Sequence, residues 1–273
     1  MDKDIKVICL DLDGTTLKDV GISKKNIDSI RKAYDKGINI AFSTGRLFVH
    51  AMYYSKLIGI PTYIICNNGT FVYDTNKNLE LYSNFIGVDN LIKIHKFVKQ
   101  KYFNVHYSTR DTIYSNIELN SVNEYEKGQY SMKNVILRDG KDWDLVFKNH
   151  GNKIFKACVS GEDGNIFDSI LNNLKKQNEF QIEYSWQNTA EILTKGEGKG
   201  KGVRVLKDYL NLQSENFMCI GDSENDISMF NECGYKVAMG NAIDKLKNIS
   251  DFITLNVSND GVSYAIEKLL EQY

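Results

Sequence analysis

Residues 5–66 alternate short apolar runs with segments of helical pattern, and this alternation constrains the fold more than any other feature. The runs at 5–10, 38–42 and 63–66 are mainly apolar, as expected of strands that are buried on both faces. Helices are predicted between them at 23–36 and 47–58, since the first has a capping serine at its start and a glycine after its end. This β-α-β-α-β order predicts parallel strands joined by right-handed crossovers.

The alternation breaks off in the middle of the chain. Residues 70–73 and 79–82 suggest a hairpin, after which strands and helices are mixed around a polar stretch at 116–152 of no definite type. Within the mixed region the pattern predicts helices at 91–101 and 166–176 and strands near 105–109, 113–115, 154–160 and 180–185. These elements suggest a separate α+β domain.

Helices and strands alternate again from residue 202 to the end of the chain. The pattern there predicts helices at 202–210, 223–233 and 262–271, strands at 217–220, 236–238 and 252–254, and a further helix between the last two strands. The fold class predicted is therefore α/β: a doubly wound parallel-sheet, Rossmann-like core at 1–82 and 186–273, interrupted by an inserted α+β domain at 83–185.

Composition limits the partners and the location of the chain. Its 34 basic and 35 acidic residues give a formal charge of −1, which disfavours a protein that binds nucleic acid through phosphates. No apolar run of about 18 residues is present, so we expect neither a membrane-spanning helix nor a targeting segment. The five cysteines form no CxxC pair and are expected to be reduced and buried, which favours the cytoplasm.

Two acidic residues follow the first predicted strand, in the segment Asp11-Leu12-Asp13-Gly14-Thr15. In open parallel sheets, ligands bind at the carboxyl ends of strands, so these two carboxylates are well placed for chemistry. Gly14 allows the chain to turn sharply. Taken alone, a DxD pair fits a solvated loop equally well, but its place between an apolar strand and Gly-Thr makes it more specific.

The second and third strands also end in polar residues. Ser43-Thr44-Gly45-Arg46 put a hydroxyl and backbone amides at a strand-to-helix junction, an arrangement that suits an anion. Asn67-Asn68-Gly69 follow the third strand and offer amide side chains to a polar substrate. Taken alone, an ordinary helix cap and an ordinary Asn-Gly turn explain these segments as well.

A later strand ends in Gly221-Asp222-Ser223-Glu224-Asn225-Asp226. Asp222 is placed to ligate a hard cation together with Asp11, and Mg²⁺ prefers carboxylates and waters. Asp226 lies one helical turn further on, which suits support of the site. Acidic residues are also common at helix N-termini. Capping alone does not explain why several strands are each followed by acidic, hydroxyl or amide side chains.

A glycine-rich segment with two lysines, Gly196-Glu197-Gly198-Lys199-Gly200-Lys201-Gly202, precedes a predicted helix. It does not fit the GxxxxGK[ST] phosphate-binding pattern. A lysine at this position would neutralise phosphate charge, and a flexible solvated turn explains the segment equally well.

Together these motifs resemble those of the haloacid dehalogenase-like superfamily, in particular its Cof-type phosphatases. The resemblance rests on Asp11–Thr15, Ser43–Arg46, Lys199-Gly200 and Gly221–Asp226, with Asn68-Gly69 and Met239–Ala242 as further matches, and it spans the whole chain. Two departures stand out. Thr16 replaces an apolar residue, and Glu197-Gly198 replaces a Val-Ser-like pair before the lysine, which leaves Lys195 and Lys201 as alternatives to Lys199.

The resemblance implies a role for each matching residue. Asp11 would be the nucleophile, and Asp13 would protonate the leaving alcohol and then activate water. Mg²⁺ would be bound by Asp11, by Asp222 and by the backbone carbonyl of Asp13. Asp226 would orient the water shell of the ion. Phosphate or substrate would be bound by Thr44, Gly45, Arg46, Asn68, Lys199 and Asn225, of which Thr44 and Lys199 would also count as catalytic residues.

The activity that the resemblance implies is Mg²⁺-dependent hydrolysis of small phosphate esters, such as sugar phosphates, through an aspartyl-phosphate. The inserted domain would be a cap that selects the substrate. A phosphomutase or phosphotransferase on sugar phosphates remains an alternative, and a signalling receiver or a catalytically inactive binding protein is less favoured. The partner would be a small-molecule phosphate ester, and neither nucleic acid nor a membrane would take part. The sequence leaves the oligomeric state open and is compatible with a monomer.

Overall fold

The chain forms two units, each with its own sheet and its own hydrophobic cluster. The computed structural model describes residues 4–19, 21–99, 103–118, 130, 132–186 and 188–271. We call residues 1–46, 51–82 and 198–273 the core unit, and residues 47–50 and 83–197 the insert unit.

The helices and strands fall into three stretches of the chain. The first contains β1 (Val7–Leu10), β2 (Leu17–Lys18), β3 (Gly21–Ile22), α1 (Lys24–Asp35), β4 (Asn39–Ser43), α2 (Phe48–Ile58), β5 (Tyr63–Cys66), β6 (Phe71–Asp74) and β7 (Leu79–Ser83). The second contains α3 (Val88–Lys99), β8 (Asn104–Ser108), β9 (Thr112–Ser115), β10 (Lys133–Ile136), α4 (Gly140–His150), β11 (Lys156–Ser160), α5 (Gly164–Lys176), β12 (Phe180–Trp186) and β13 (Thr189–Thr194). The third contains α6 (Lys199–Leu210), β14 (Phe217–Gly221), α7 (Ile227–Phe230), β15 (Tyr235–Ala238), α8 (Asp244–Lys247), β16 (Phe252–Ile253) and α9 (Gly261–Leu270).

The core sheet has the strand order β16-β15-β14-β1-β4-β5-β6-β7. The strands from β16 to β5 pair in parallel, and β6 runs antiparallel to β5. β1 thus lies between a strand from the start of the chain and one from its end, and the crossovers from β1 to β4 and from β14 to β15 run in opposite directions along the sheet. The structure confirms the predicted doubly wound α/β class and puts its switch point between β1 and β14.

Strands β1 and β14 of this sheet have no accessible side chain. All four residues of β1 and all five of β14 are buried. Helices on both faces of a parallel sheet favour such uninterrupted apolar strands. All five cysteines are buried thiols that form no disulfide, as the sequence predicted.

The insert unit is an α+β sheet domain, as predicted, with strand order β10-β9-β8-β11-β13-β12. Its pairs are antiparallel except β9 with β10. One face of the sheet packs on the helices through alternate residues such as Tyr107, Ala157 and Ile192, which share a cluster with Trp143 and Phe147. This alternation is the expected pattern of an antiparallel sheet with one apolar face.

The opposite face of the same sheet is polar. His106, Cys158, Glu191 and Glu183 stand side by side across four strands. Lys156 lies two residues before Cys158 and makes an ion pair with Glu191, and both side chains are nearly buried. The insert sheet therefore carries a buried charged pair on the face that its helices do not cover.

Two elements of the insert unit lie where the sequence gave no definite pattern. β10 and α4 occupy the stretch 116–152, of which residues 119–129 and 131 lie outside the described residues. α4 buries only Trp143, Val146 and Phe147. Charged residues lie between these apolar positions, so the helical spacing is difficult to recognise from the sequence.

The far boundary of the insert unit also differs from the sequence expectation. The unit runs to residue 197, past the boundary suggested at 185, because β13 pairs with both β11 and β12. The helix expected at 223–233 is shorter: a 3-10 turn at Glu224–Asp226 leads into α7. In the described part of the chain, no helix is both long and apolar enough to cross a membrane.

Candidate active site

The carboxyl ends of four neighbouring strands bring the predicted site residues to one edge of the core sheet. Asp11 follows β1, Thr44 follows β4, Asn67 follows β5 and Asp222 follows β14. Parallel strands end at the same edge, and this edge includes the switch point at which α/β sheets bind ligands.

Lys199 is the first residue of α6, and its ammonium joins two acidic residues. Its Nζ lies 2.6 Å from Asp11 Oδ1 and 2.6 Å from Asp226 Oδ1. The side chains of Lys199, Asp11 and Asp226 are 1%, 5% and 0% exposed. The predicted nucleophile is therefore paired with a buried, fixed positive charge.

This geometry distinguishes the three lysines that the sequence left as alternatives. Lys201 Nζ lies 5.0 Å from the centroid of the Tyr82 ring. Lys195 Nζ donates to Asn178 Oδ1 at 2.6 Å, in an exposed contact within the insert unit. Among these three lysines, Lys199 is the one whose described contacts include Asp11.

The position of Lys199 depends on a close backbone contact. A Cβ on Gly69, in the loop after β5, would lie 2.0 Å from the carbonyl oxygen of Gly198. Gly69 also has φ +85°, a conformation that glycine adopts without strain. The loop after β5 thus packs directly on the start of α6, where Lys199 lies.

Burial and crowding shift the ionisation of the acidic groups. Burial raises the pKa of Asp11 well above its usual range, Asp226, Asp222 and Asp13 raise it further, and Lys199 opposes the rise. Burial raises the pKa of Asp222 to about 6, and Asp226 adds to that rise. Burial by itself would lower the pKa of Lys199, but Asp11 and Asp226 raise it above its ordinary value. The ammonium thus stays charged, while the carboxylates need more positive charge to be ionised together.

Three carboxylates converge closely enough to hold a cation. Ligand atoms of Asp11, Asp222 and Asp226 lie within 4.8 Å of one another. Asp226 Oδ2 already accepts from the backbone amides of Asp222 and Ser223, at 2.9 and 3.0 Å, and its Oδ1 accepts from Lys199. Buried Asp11 Oδ2 accepts no hydrogen bond from any described residue. Oxygen ligands of this kind suit a hard divalent cation, and Asp11 and Asp222 are the carboxylates available to it.

The residues after Asp13 hold this acidic group in place. Thr15 Oγ1 donates to Asp222 Oδ1 at 2.9 Å, and Thr16 Oγ1 donates to the backbone carbonyl of Asp11 at 2.5 Å. Gly14 has φ +77°, and a Cβ there would lie 2.5 Å from Asp222 Oδ2. The turn after β1 thus packs against the carboxylate that follows β14.

Asn241, at the far end of the chain, supports the same turn. Its Nδ2 donates to the carbonyl oxygen of Gly14 at 2.8 Å, and its Oδ1 accepts from the Val257 amide at 2.8 Å. The sequence gave no role to Thr15, Thr16 or Asn241. The motif around Asn241 was a signal that the segment matters, but its contact with Gly14 needs the fold.

Thr44 and Gly45 lie at the end of β4, beside β1. Thr44 is fully buried, and its amide donates to the Ile65 carbonyl at 2.8 Å. Its Oγ1 accepts from the Arg46 amide at 3.1 Å, and its carbonyl accepts from the Asn68 amide at 3.0 Å. The loops after β4 and β5 are thus tied together at the site edge.

The loop after β5 has an unusual backbone. Asn67, Asn68 and Gly69 have φ values of +48°, +54° and +85° in succession. Asparagine and glycine tolerate this region better than other residues, and strained backbone tends to cluster at functional sites. Asn68 Oδ1 accepts from Asn225 Nδ2 at 3.4 Å, so these two predicted phosphate-site residues are neighbours.

Arg46 and Asp13 form a two-pronged ion pair. Arg46 Nε donates to Asp13 Oδ2 at 2.9 Å, and Arg46 Nη2 donates to Asp13 Oδ1 at 2.7 Å. Arg46 Nη1 lies 3.5 Å from the Tyr54 hydroxyl. The sequence placed Arg46 among the phosphate-binding residues, whereas these contacts direct its guanidinium to Asp13.

Comparisons with known proteins agree with this arrangement. The family pattern of the haloacid dehalogenase-like hydrolases matches residues 8–266. A 5-amino-6-(5-phospho-D-ribitylamino)uracil phosphatase of Bacillus subtilis is 31% identical over 97% of this chain and 96% of its own length. A second protein of that name from the same organism is 31% identical over 97% of this chain and 98% of its own length.

Solved structures share the fold. A haloacid dehalogenase-like hydrolase from B. subtilis superposes with a TM-score of 0.85 at 22% identity, covering 96% of this chain and 99% of its own. That identity supports the fold alone, whereas the family pattern and the curated relatives span almost the whole chain. The chain therefore belongs to the haloacid dehalogenase-like hydrolase family.

Proposed function

We propose that the chain is a Mg²⁺-dependent phosphatase that hydrolyses small phosphorylated metabolites through an aspartyl-phosphate on Asp11. The observation that carries the proposal is the contact of buried Lys199 with Asp11 Oδ1, beside an Asp11 Oδ2 that accepts no hydrogen bond from a described residue. Phosphoryl transfer needs mainly positioning and charge stabilisation. This pair supplies a carboxylate and a fixed cation at the same point.

In the first step, a carboxylate oxygen of Asp11 attacks phosphorus, and the bond from phosphorus to the leaving oxygen breaks. Asp13 gives a proton to that oxygen, so the product leaves as an alcohol. Lys199, Thr44 and Asn225 hold the phosphoryl oxygens. Covalent catalysis of this type divides one difficult hydrolysis into two easier steps.

In the second step, water attacks the phosphorus of the aspartyl-phosphate. Asp13, now a carboxylate, takes the proton of that water, and Asp11 is released with inorganic phosphate. One side chain thus serves as acid and then as base, which requires that its carboxylate reach the same region in both steps.

Asp11, Asp222 and the backbone carbonyl of Asp13 are the proposed ligands of Mg²⁺, and Asp226 fixes the loop that carries Asp222. When bound, the ion supplies positive charge that offsets the crowded carboxylates and the phosphoryl oxygens. The balance of charge supports a bound cation. In the described site, Lys199 and Arg46 are the two cations that pair with a group of four carboxylates: Asp11, Asp13, Asp222 and Asp226.

The proposed substrates are sugar phosphates or similar small esters, in keeping with the names of the relatives. These include phosphatases of a phosphoribitylamino-uracil and of phosphoglycolate. We propose that the core unit carries the chemistry and that the insert unit selects the substrate. We also propose that the enzyme works in the cytoplasm, without nucleic acid or a membrane. The near-neutral net charge supports a small-molecule partner.

A panel of phosphate esters with Mg²⁺ tests the proposal, with inorganic phosphate release as the readout. We expect Asp11→Asn to lower turnover by about 10³-fold or more, as loss of a nucleophile does elsewhere, and we expect EDTA to abolish turnover reversibly. Asp35→Asn, an exposed aspartate at the end of α1, is the matched control and should leave turnover unchanged. Turnover that survives Asp11→Asn, or that ignores EDTA, would rule the mechanism out.

A further inference from the structure

We infer that Arg46 is a positioning residue that acts through Asp13, rather than a ligand of the phosphate. This inference rests on the proposed function, since it assigns Asp13 the proton transfers. Its basis is the two-pronged contact in which Arg46 Nε and Nη2 each reach a different oxygen of Asp13, at 2.9 and 2.7 Å. Paired N–H···O bonds of this kind fix the orientation of a carboxylate as well as its position.

Arg46 is the anchored partner of the pair. Its backbone amide donates to Thr44 Oγ1 at 3.1 Å, and its carbonyl accepts from the Asn67 amide at 2.9 Å. Its guanidinium carbon lies 5.5 Å from the ring centroid of Tyr54, a residue that is 1% exposed. Both ends of Arg46 are therefore tied to buried parts of the core unit.

Asp13 is the partner that needs restraint. Its side chain is 56% exposed, against 17% for Arg46. It precedes Gly14, which is in the left-handed region. An exposed carboxylate on a turn samples several rotamers. Contact with the leaving group requires one of these orientations, and fixing it costs conformational entropy. The guanidinium removes that freedom. It holds both oxygens when Asp13 is a carboxylate, and in the first step it holds one oxygen while the other carries the proton that goes to the leaving group.

The pair also keeps Asp13 apart from the other carboxylates. Asp11 and Asp222 are the carboxylates available to a cation, and Asp13 lies only two residues from Asp11. A carboxylate held by a fork of two donors does not compete for that cation. Arg46 thus lets two carboxylates of one short segment take different parts in the reaction.

The test compares two esters, an alkyl phosphate such as glycerol phosphate and 4-nitrophenyl phosphate. An alkoxide leaving group needs a proton from Asp13, whereas 4-nitrophenolate leaves without one. The rate of the first turnover reports formation of the aspartyl-phosphate, before the step in which water attacks it. In Arg46→Gln we expect this rate to fall about 10- to 100-fold on the alkyl ester, which is part of the roughly 100-fold or larger contribution of acid catalysis. On the aryl ester we expect a fall of less than about 3-fold, and KM should be nearly unchanged on both.

A double-mutant cycle provides the second readout. If Arg46 acts through Asp13, then Arg46→Gln in an Asp13→Asn background costs nothing further in steady-state turnover of 4-nitrophenyl phosphate. Arg46→Lys keeps the charge but not the fork, so it should recover only part of the loss on the alkyl ester. Arg204→Gln, which breaks the exposed pair with Glu232, is the matched control and should behave as wild type.

Two outcomes would overturn the inference while leaving the phosphatase in place. The first is a similar loss on both esters with a raised KM, which would make Arg46 a phosphate ligand. The second is a double variant in which the fold loss in turnover equals the product of the losses in Arg46→Gln and Asp13→Asn. A wild-type chain without Mg²⁺-dependent turnover would instead refute the proposed function, and the inference with it.

Discussion

At the residue scale, the site depends on how single carboxylate oxygens are engaged. Asp11 has one oxygen on Lys199 and another that accepts no hydrogen bond from a described residue. Asp226 uses both of its oxygens on protein donors. Chemically equivalent aspartates therefore have different capacities: Asp11 can still bind a cation or attack phosphorus, whereas Asp226 holds its neighbours in place.

Gly14→Ala should damage the site through a single added carbon. The new Cβ would lie 2.5 Å from Asp222 Oδ2, at a backbone φ of +77°. We expect the free energy of unfolding to fall by about 1–3 kcal/mol, and kcat/KM to fall at least ~10-fold because displaced groups lose their alignment. Urea unfolding and phosphate release would measure the two effects.

Gly37→Ala is the control for that experiment. Gly37 has φ +85° but nothing within 4 Å of an added Cβ, so it reports backbone strain alone. Equal stability loss in Gly14→Ala and Gly37→Ala, with full activity in both, would show that the packing of Gly14 on Asp222 has no importance.

The sequence predicts single site residues better than their contacts. Asp11 and Asp222 can be found from their places directly after apolar strands. The link between Arg46 and Asp13 cannot, because a guanidinium on a flexible stem reaches any carboxylate within its radius. Among its described contacts, Arg46 also packs against Tyr54, and this tertiary contact helps to orient the guanidinium towards Asp13.

At the element scale, the insert sheet has two faces of opposite character. Its helix-covered face is apolar, and its other face carries His106, Lys156, Glu183 and Glu191. Burial lowers the pKa of His106 to about 4, and Lys156 adds to that effect. His106 is therefore neutral at pH 7, so the charges on this face are those of lysine and glutamate.

Breaking the ion pair of this face should be costly. Lys156→Met leaves Glu191 buried without its cation, and we expect a loss of about 3–5 kcal/mol in the free energy of unfolding. The double change Lys156→Met/Glu191→Leu should restore most of that loss, since an apolar pair of similar size often replaces an ionic one. Both tryptophans, at 143 and 186, belong to the insert unit, so tryptophan fluorescence in urea reports on it.

The exposed pair of Lys93 and Glu179 offers the comparison within the same unit. Its side chains are 44% and 43% exposed, and Lys93→Met should cost less than about 1 kcal/mol. If Lys156→Met proves no more destabilising than Lys93→Met, the pair of Lys156 and Glu191 contributes no more to the free energy of unfolding than an exposed ion pair does.

Elements with strong periodicity are predictable, and those without it are not. β1, α1 and β4 agree with the sequence expectation to within about two residues. β13 was not recognised, because Glu191 interrupts its apolar residues and its pairing with β11 and β12 cannot be seen in the local sequence. Strand pairing is a long-range property, and a local pattern does not contain it.

At the scale of the whole molecule, each unit has its own large hydrophobic cluster among the described residues. The cluster around β1 and β14 lies in the core unit, and the cluster around β8 and β11 lies in the insert unit. A ligand that binds the acidic site stabilises the unit that contains it. Metal binding is therefore a test of where the site lies.

Mg²⁺ should raise the unfolding temperature of the core unit. At about 100 times the dissociation constant, binding adds about 2.7 kcal/mol, or roughly 5–8 °C for a chain of this size. Differential scanning calorimetry with Mg²⁺ and with EDTA would measure the shift, and Asp222→Asn should remove it. Asp244→Asn, an exposed aspartate in α8, should retain it. An unchanged shift in Asp222→Asn would place the ion elsewhere.

The sequence by itself determined the order of the main strands and helices of the core, the parallel core sheet with its insertion, and the acids, hydroxyl and amides at the strand ends. These features are encoded in residues near one another in the chain, through periodicity, capping and turns. The tertiary structure decided the contacts: Lys199 on Asp11, Thr15 on Asp222, Asn225 on Asn68, and Arg46 on Asp13. The first three join residues 188, 207 and 157 positions apart. Such contacts exist only once the central sheet has aligned its strand ends, because side-chain reach is a few ångströms and only the packed backbone brings distant segments within it.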